Sequence, residues 1–117
     1  MAPPQPTQIT LKKADRLIEV AFDDGRVWRL PFEYLRTHSP SAEVQGHGGP
    51  MQLVLGKENV RVERVEPVGQ YAVRLVFDDG HDSGLFTWKY LYELGIEQPR
   101  RWAEYQRRRA AALQAAQ

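Results

Sequence analysis

The chain contains no cysteine. That absence excludes disulfide staples, thiolate zinc centres, cysteine-held iron–sulfur clusters and cysteine nucleophiles together. Nor is there an apolar run approaching the roughly 18 residues that a membrane-spanning helix needs. The start, Met1 to Thr7, is proline-rich and has neither the basic opening nor the apolar stretch of a secretory signal. The expectation is a soluble, cytoplasmic protein with no membrane partner and a disordered tail over residues 1–7. Neither sign of charge dominates, with 16 Lys and Arg against 15 Asp and Glu. Only the end is biased: from Arg100 onward five arginines face Glu104 alone. A solvated helix end accounts for this bias better than a nucleic-acid footprint, so nucleic-acid binding through that tail ranks last among the functional readings.

What is present in 117 residues is enough for one hydrophobic core. From Leu17 to Leu30 apolar residues alternate around Asp23-Asp24-Gly25. A three-residue loop there sets Phe22 opposite Arg26, Val20 opposite Trp28 and Ile18 opposite Leu30. This register gathers Ile18, Val20, Phe22, Trp28 and Leu30 on one face and pairs Glu19 with Arg29 on the other, with Gly25 in the left-handed conformation. Pro31 then opens a short helix carrying Phe32 and Leu35. Residues 37–51 hold too many breakers for a regular element and read as a long loop.

Strand character returns at Gln52 to Leu55, Val60 to Val65 and Tyr71 to Phe77. The opening unit is then repeated. Ile18, Val20, Phe22, Asp23, Asp24 and Gly25 correspond to Val73, Leu75, Phe77, Asp78, Asp79 and Gly80, 55 residues on; Leu30, Phe32, Tyr34 and Leu35 correspond to Phe86, Trp88, Tyr90 and Leu91, 56 residues on. One residue is thus added in the second hairpin, where Gly84 could host a bulge. Gly95 fits the position just past the second helix, with Ile96 packing back on Leu91. Pro99 starts a last segment that docks through Trp102 and Tyr105 and frays from Ala110. Two copies are too few for a solenoid. The expected fold is α+β: a mainly antiparallel sheet, two copies of a hairpin-plus-short-helix unit, and a basic C-terminal helix over residues 98–117.

No residue set amounts to a catalytic apparatus. The paired aspartates precede glycines in hairpin turns, where Asp-Gly is favoured on backbone grounds and the ligand spacing of a calcium loop is missing. Ser39 and Ser41 lie near His38 without a nucleophile elbow, and Gly46-His47-Gly48-Gly49 lacks the lysine of a phosphate loop. His81, His47 and Glu43 are the candidates for a metal such as zinc or iron, held through nitrogen and oxygen.

Several motifs in order resemble a known family: Leu30-Pro31-Phe32-Glu33-Tyr34-Leu35-Arg36, the Ser39 to Gly48 stretch, Pro67-Val68-Gly69-Gln70-Tyr71-Ala72-Val73, Phe77 to Gly84, and Trp88-Lys89-Tyr90-Leu91. Together they resemble the gamma-butyrobetaine hydroxylase-like N-terminal domain in its small stand-alone bacterial form, covering residues 8–97. In the hydroxylases this module precedes a separate iron- and 2-oxoglutarate-dependent domain and binds zinc through three cysteines and a histidine. The resemblance puts the cysteine positions at Ser39, Ser41 and Val44 and the histidine at His81; two hydroxyls and a valine do not reproduce a thiolate site. Residues 98–117 leave no room for the oxygenase domain, so the resemblance implies no enzyme. Fusion of the module to P-loop ATPases of the iron–sulfur carrier type implies an accessory role in cluster assembly. The first reading is a non-catalytic accessory module, monomeric or weakly oligomeric, without cofactor. It would bind an unknown protein partner through Ser39, Ser41, Glu43, Gln45 and His47, with His81 beside them.

Overall fold

The structure is a computed structural model that describes residues 3–41 and 52–116. Strands β1 (Pro6–Lys12), β2 (Leu17–Phe22) and β3 (Val27–Pro31) form one antiparallel sheet, followed by helix α1 (Phe32–Thr37). Strands β4 (Val62–Val68), β5 (Ala72–Phe77) and β6 (Leu85–Thr87) form a second, followed by α2 (Trp88–Ile96) and α3 (Gln98–Ala115). The class is α+β as expected, with the antiparallel strands divided between two sheets. Among the described residues no helix is long and apolar enough to cross a membrane.

The first hairpin has the anticipated register. Ile18 faces Leu30, Val20 faces Trp28 and Glu19 faces Arg29, while the Phe22 N–H donates to the Arg26 carbonyl across the turn. Gly25 takes φ +89°, a conformation in which a Cβ would be strained. The second hairpin repeats this: Val73 faces Phe86, the Phe77 N–H donates to the His81 carbonyl, and Gly80 takes φ +90°.

The structural repeat is longer than the sequence repeat. β1 pairs with β2 through Pro6–Phe22 and Gln8–Ala21, with an irregularity between Pro6 and Gln8; β4 pairs with β5 through Val62–Phe77 and Arg64–Val76, with the same irregularity. Even the flanking bonds recur, the Asp23 N–H donating to the Gln5 carbonyl and the Asp78 N–H to the Arg61 carbonyl. Each copy is therefore a three-stranded meander capped by a helix. The segment read as a disordered tail already contains the first residues of β1.

Both copies contribute matching positions to one core. Ile18, Val20, Phe22 and Leu30 meet Val73, Leu75, Phe77 and Phe86, and Leu35, Leu91 and Leu94 close it from the helices. Burial of each such side chain contributes about 1.5–3 kcal/mol. A reciprocal pair of hydrogen bonds ties the copies together: the Tyr34 hydroxyl donates to the Leu94 carbonyl at 2.7 Å and the Tyr90 hydroxyl to the His38 carbonyl at 2.6 Å. Tyr34 and Tyr90 are equivalent positions of the repeat, and so are His38 and Leu94. Each tyrosine thus caps the helix of the other copy, supplying a donor to a C-terminus whose last carbonyls have no N–H partner within the helix.

Four local expectations are corrected. Gln52 to Leu55 is not a strand, and the next strand starts at Val62 instead of Val60. Gly95 lies inside α2, which continues through Ile96, and Ile96 is half-exposed. Gly84 hosts no left-handed bulge; its role is a close approach described below. Residues from Ala110 do not fray, since α3 continues to Ala115.

Candidate functional site

Directly after α1 the chain turns inward. Ser39 Oγ lies 2.9 Å from His81 Nε2 and Ser41 Oγ 3.4 Å from the same atom. Ser39 is fully buried, and Ser41 and His81 are nearly so. Gly84 makes room for this cluster: a Cβ there would fall 2.2 Å from Ser39 Oγ and 3.3 Å from Pro40 Cδ. Residues 81–84, which carry the residue added to the second copy, leave the ladder before β6 and bring His81 and Gly84 against the α1 exit.

Asp79 fixes the turn beneath. Its Oδ1 accepts from the His81 N–H at 3.1 Å, and its Oδ2 accepts from Arg36 Nε at 2.8 Å and Lys57 Nζ at 2.7 Å. The Arg36 side chain is 4% exposed, so this is a mostly desolvated ion pair. Burial pushes the Asp79 carboxyl upward, but the Lys57 ammonium, the His81 N–H and the Arg36 guanidinium outweigh it and hold its pKa at about 2. The exit of α1 is thereby attached to the second hairpin at two points, Arg36–Asp79 and Ser39–His81.

The structure thus brings together Ser39, Ser41 and His81. Glu43, Val44, Gln45 and His47 lie outside the described residues. The expectation that Ser39 and Ser41 form an exposed interaction surface is corrected, because both hydroxyls point inward to the imidazole. His38 does not join them. Its Nδ1 lies 3.0 Å from the Tyr34 carbonyl, which only accepts, so the ring carries its proton on Nδ1. Burial pushes its pKa down to about 4, against the upward pull of that bond, with Arg101 and Arg108 adding to the downward shift.

The cluster does not fit zinc. Two neutral hydroxyls sharing one imidazole nitrogen offer no thiolate or carboxylate, and among the described residues no group of three His, Asp or Glu side chains converges. The arrangement can clasp two segments through hydrogen bonds. Its buried serines present no nucleophile to a substrate.

Two further features escaped the sequence reading. An open groove of about 610 Å³ runs between Trp28 and Pro31 on one side and Ile96, Pro99 and Trp102 on the other. Its floor is set by Gly95, whose missing side chain lets the Trp28 indole lie where a Cβ would come within 2.3 Å of the ring. Tyr92 and Phe22 meet that indole edge-on, with ring centroids at 4.8 and 5.6 Å. Gly95 read as a helix terminator, so its signal was assigned to the backbone. The second feature is a polar cleft between the end of α1 and α3. The α3 arginines are largely tied locally: Arg100 and Arg101 reach Glu97, Arg107 reaches Glu104 and Arg109 reaches Glu58.

Fold and site together define a small two-copy α+β module whose inter-copy cluster is built from hydroxyl and imidazole groups. The model of the family described as gamma-butyrobetaine hydroxylase-like, N-terminal, matches residues 9–92, and the chain belongs to that family. A crystal structure of a protein of unknown function in the DUF971 family, from Acidithiobacillus ferrooxidans ATCC 23270, is 46% identical, with 78% of this chain and 92% of that chain covered and a TM-score of 0.67. Two proteins solved in solution by NMR are 51% and 49% identical, with TM-scores of 0.82 and 0.80. They cover 95% and 96% of this chain, and 88% and 87% of their own lengths are matched. A comparison with proteins of curated function finds no match.

Proposed function

We propose that this domain is a non-catalytic accessory module that works by binding a protein partner. One observation carries the reading: the inter-copy cluster is closed, with Ser39 fully buried against His81, whereas the Trp28–Trp102 groove stands open and, among the described residues, has no charged side chain in its lining. Such a groove suits an uncharged stretch of a partner with one or two aliphatic or proline anchors, since aromatic walls give contact area at low entropic cost. Affinity capture from the native cell with wild type and with Trp102→Ala and Ile96→Glu variants tests this. The reading expects a partner retained by wild type and lost from both variants while their spectra stay native. Equal retention by all three overturns the groove as the working surface.

A second reading is a metal-binding protein using His81 with His47 and Glu43, serving iron–sulfur cluster assembly. Its support is the resemblance, which puts the family's ligand positions at Ser39, Ser41 and His81, three residues that lie together here although the two hydroxyls themselves do not suit zinc. Stoichiometric zinc or iron in purified protein, lost on His81→Ala, would favour it over the first.

A further inference from the structure

Two of the stretches that carry the family resemblance, Pro67 to Val73 and Trp88 to Leu91, meet at the start of α2 and serve neither functional reading. The Trp88 N–H donates to the Tyr71 carbonyl at 2.9 Å and its indole Nε1–H to the Gln70 carbonyl at 2.8 Å, which fixes the ring beside Tyr71. Tyr71 itself is 70% exposed, more than any other large apolar side chain among the described residues. We propose that the shelf of Tyr71 and Trp88 is a second docking surface, separate from the groove, for an extended partner segment that carries proline with an acidic residue beside it.

Pro3 and Pro4 stand across from the shelf and leave a hollow of about 150 Å³. That is smaller than a drug-sized pocket and suits one ring-sized anchor. The proline wall is pinned to the first hairpin, since the Gln5 N–H donates to Asp23 Oδ1 at 3.2 Å and the Asp23 N–H to the Gln5 carbonyl at 2.8 Å. The hollow is therefore formed before any ligand arrives, with one wall from each copy of the repeat.

Its hydrogen-bonding balance selects proline. The carbonyls of Gln70 and Tyr71 already accept from Trp88, and Thr87 Oγ1 accepts from the Tyr90 N–H at 3.1 Å. The Tyr71 hydroxyl and the Lys89 ammonium, in contrast, make no hydrogen bond or ion pair with the described residues. A surface with open donors and occupied acceptors favours a segment that brings carbonyls but few N–H groups, as proline does. In the polyproline conformation those carbonyls are unpaired and the rings pack on aromatic faces.

Charge selects the neighbouring residue. Lys89 is exposed and is the only charged side chain among the described residues lining the hollow. No acidic residue lies in the first turn of α2 to offset it or the positive end of that helix, so a carboxylate on the partner is the complement.

Titration of the labelled full chain with three peptides tests this: a polyproline stretch flanked by glutamates, the same stretch flanked by lysines, and an alanine stretch flanked by glutamates. The amides of Tyr71 and Lys89 and the Trp88 indole N–H are followed. The proposal expects saturable shifts there with the first peptide, weakened roughly tenfold or more by Tyr71→Ala and by Lys89→Glu and unchanged by Trp102→Ala in the groove. Both shelf variants change exposed side chains, so native spectra are expected of them. The other two peptides should bind at least about tenfold more weakly than the first. No saturable shift, or equal affinity for the three peptides, overturns the proposal. Shifts at Trp28, Ile96 and Trp102 in place of the shelf would seat the peptide in the groove, which overturns the shelf while supporting the groove.

Discussion

Ser39 Oγ and His81 Nε2 stand 2.9 Å apart in a buried contact that joins the exit of α1 to the second hairpin, and the absence of a side chain at Gly84 is what allows it. Gly84→Ala is expected to destabilise by about 1–3 kcal/mol, because Ser39 must rotate away from His81 or the backbone must yield. Ser39→Ala alone loses one hydrogen bond, about 1 kcal/mol. The double variant should be less destabilised than the sum of the two, since the clash and the bond share one atom. Urea unfolding of the four proteins measures this coupling.

Asp24 and Asp79 hold the same place in the two turns and each accepts from the backbone N–H two residues on, of Arg26 and His81 respectively, yet only Asp79 holds a buried arginine. Asp79→Asn removes the carboxylate that pairs with the buried Arg36 and is expected to cost about 3 kcal/mol. Asp24→Asn should cost much less, because its contacts with the Tyr92 hydroxyl at 2.5 Å and Arg26 at 3.9 Å are exposed and an amide oxygen still accepts from a hydroxyl. Because Asp79 titrates lower in the fold than its ordinary 3.8, its contribution is complete above about pH 4 and lost as pH falls toward 2. Chemical denaturation between pH 2 and 5 should show this slope diminished in Asp79→Asn.

His38 has the opposite charge type and a separate window. Its pKa falls from 6.5 to about 4 on folding, so between those values the unfolded chain binds a proton that the fold refuses. Stability is therefore full above about pH 6.5 and declines toward pH 4, by on the order of 3 kcal/mol. His38→Phe should flatten that part of the stability profile while leaving the Asp79 slope below pH 4.

Gly95→Ala would gain helix propensity, but its Cβ would enter the Trp28 ring. Displacement of the indole is expected to destabilise by about 1–3 kcal/mol and to change the near-ultraviolet spectrum through the Trp28–Tyr92–Phe22 cluster. A more stable variant with an unchanged spectrum would contradict the close packing assigned to Gly95.

Alternation and turn chemistry made the hairpins legible in sequence, down to the Val20–Trp28 pairing, because a one-residue slip would turn every core side chain outward. β1 and β4 were not recognisable as copies: Pro6–Lys12 and Val62–Val68 share little sequence, and their likeness lies in backbone pairing. The repeat did point to the second hairpin, where the copies differ, and His81 is there. The sequence reading did not reveal the direction of the serines, since facing inward depends on the Gly84 approach across 45 residues of chain. Gly95 and Gly84 were both read as backbone punctuation, yet each serves by leaving room for a distant side chain.

The hydroxyl and imidazole groups of the inter-copy cluster suit a hydrogen-bonded clasp and do not fit a zinc site. Titration of the full chain with zinc and with ferrous iron, followed at the His81 ring resonances together with elemental analysis of the protein as purified, tests it most directly. The clasp account predicts substoichiometric metal and no saturable shift at His81. One equivalent of metal, bound by wild type and lost in His81→Ala, would contradict it.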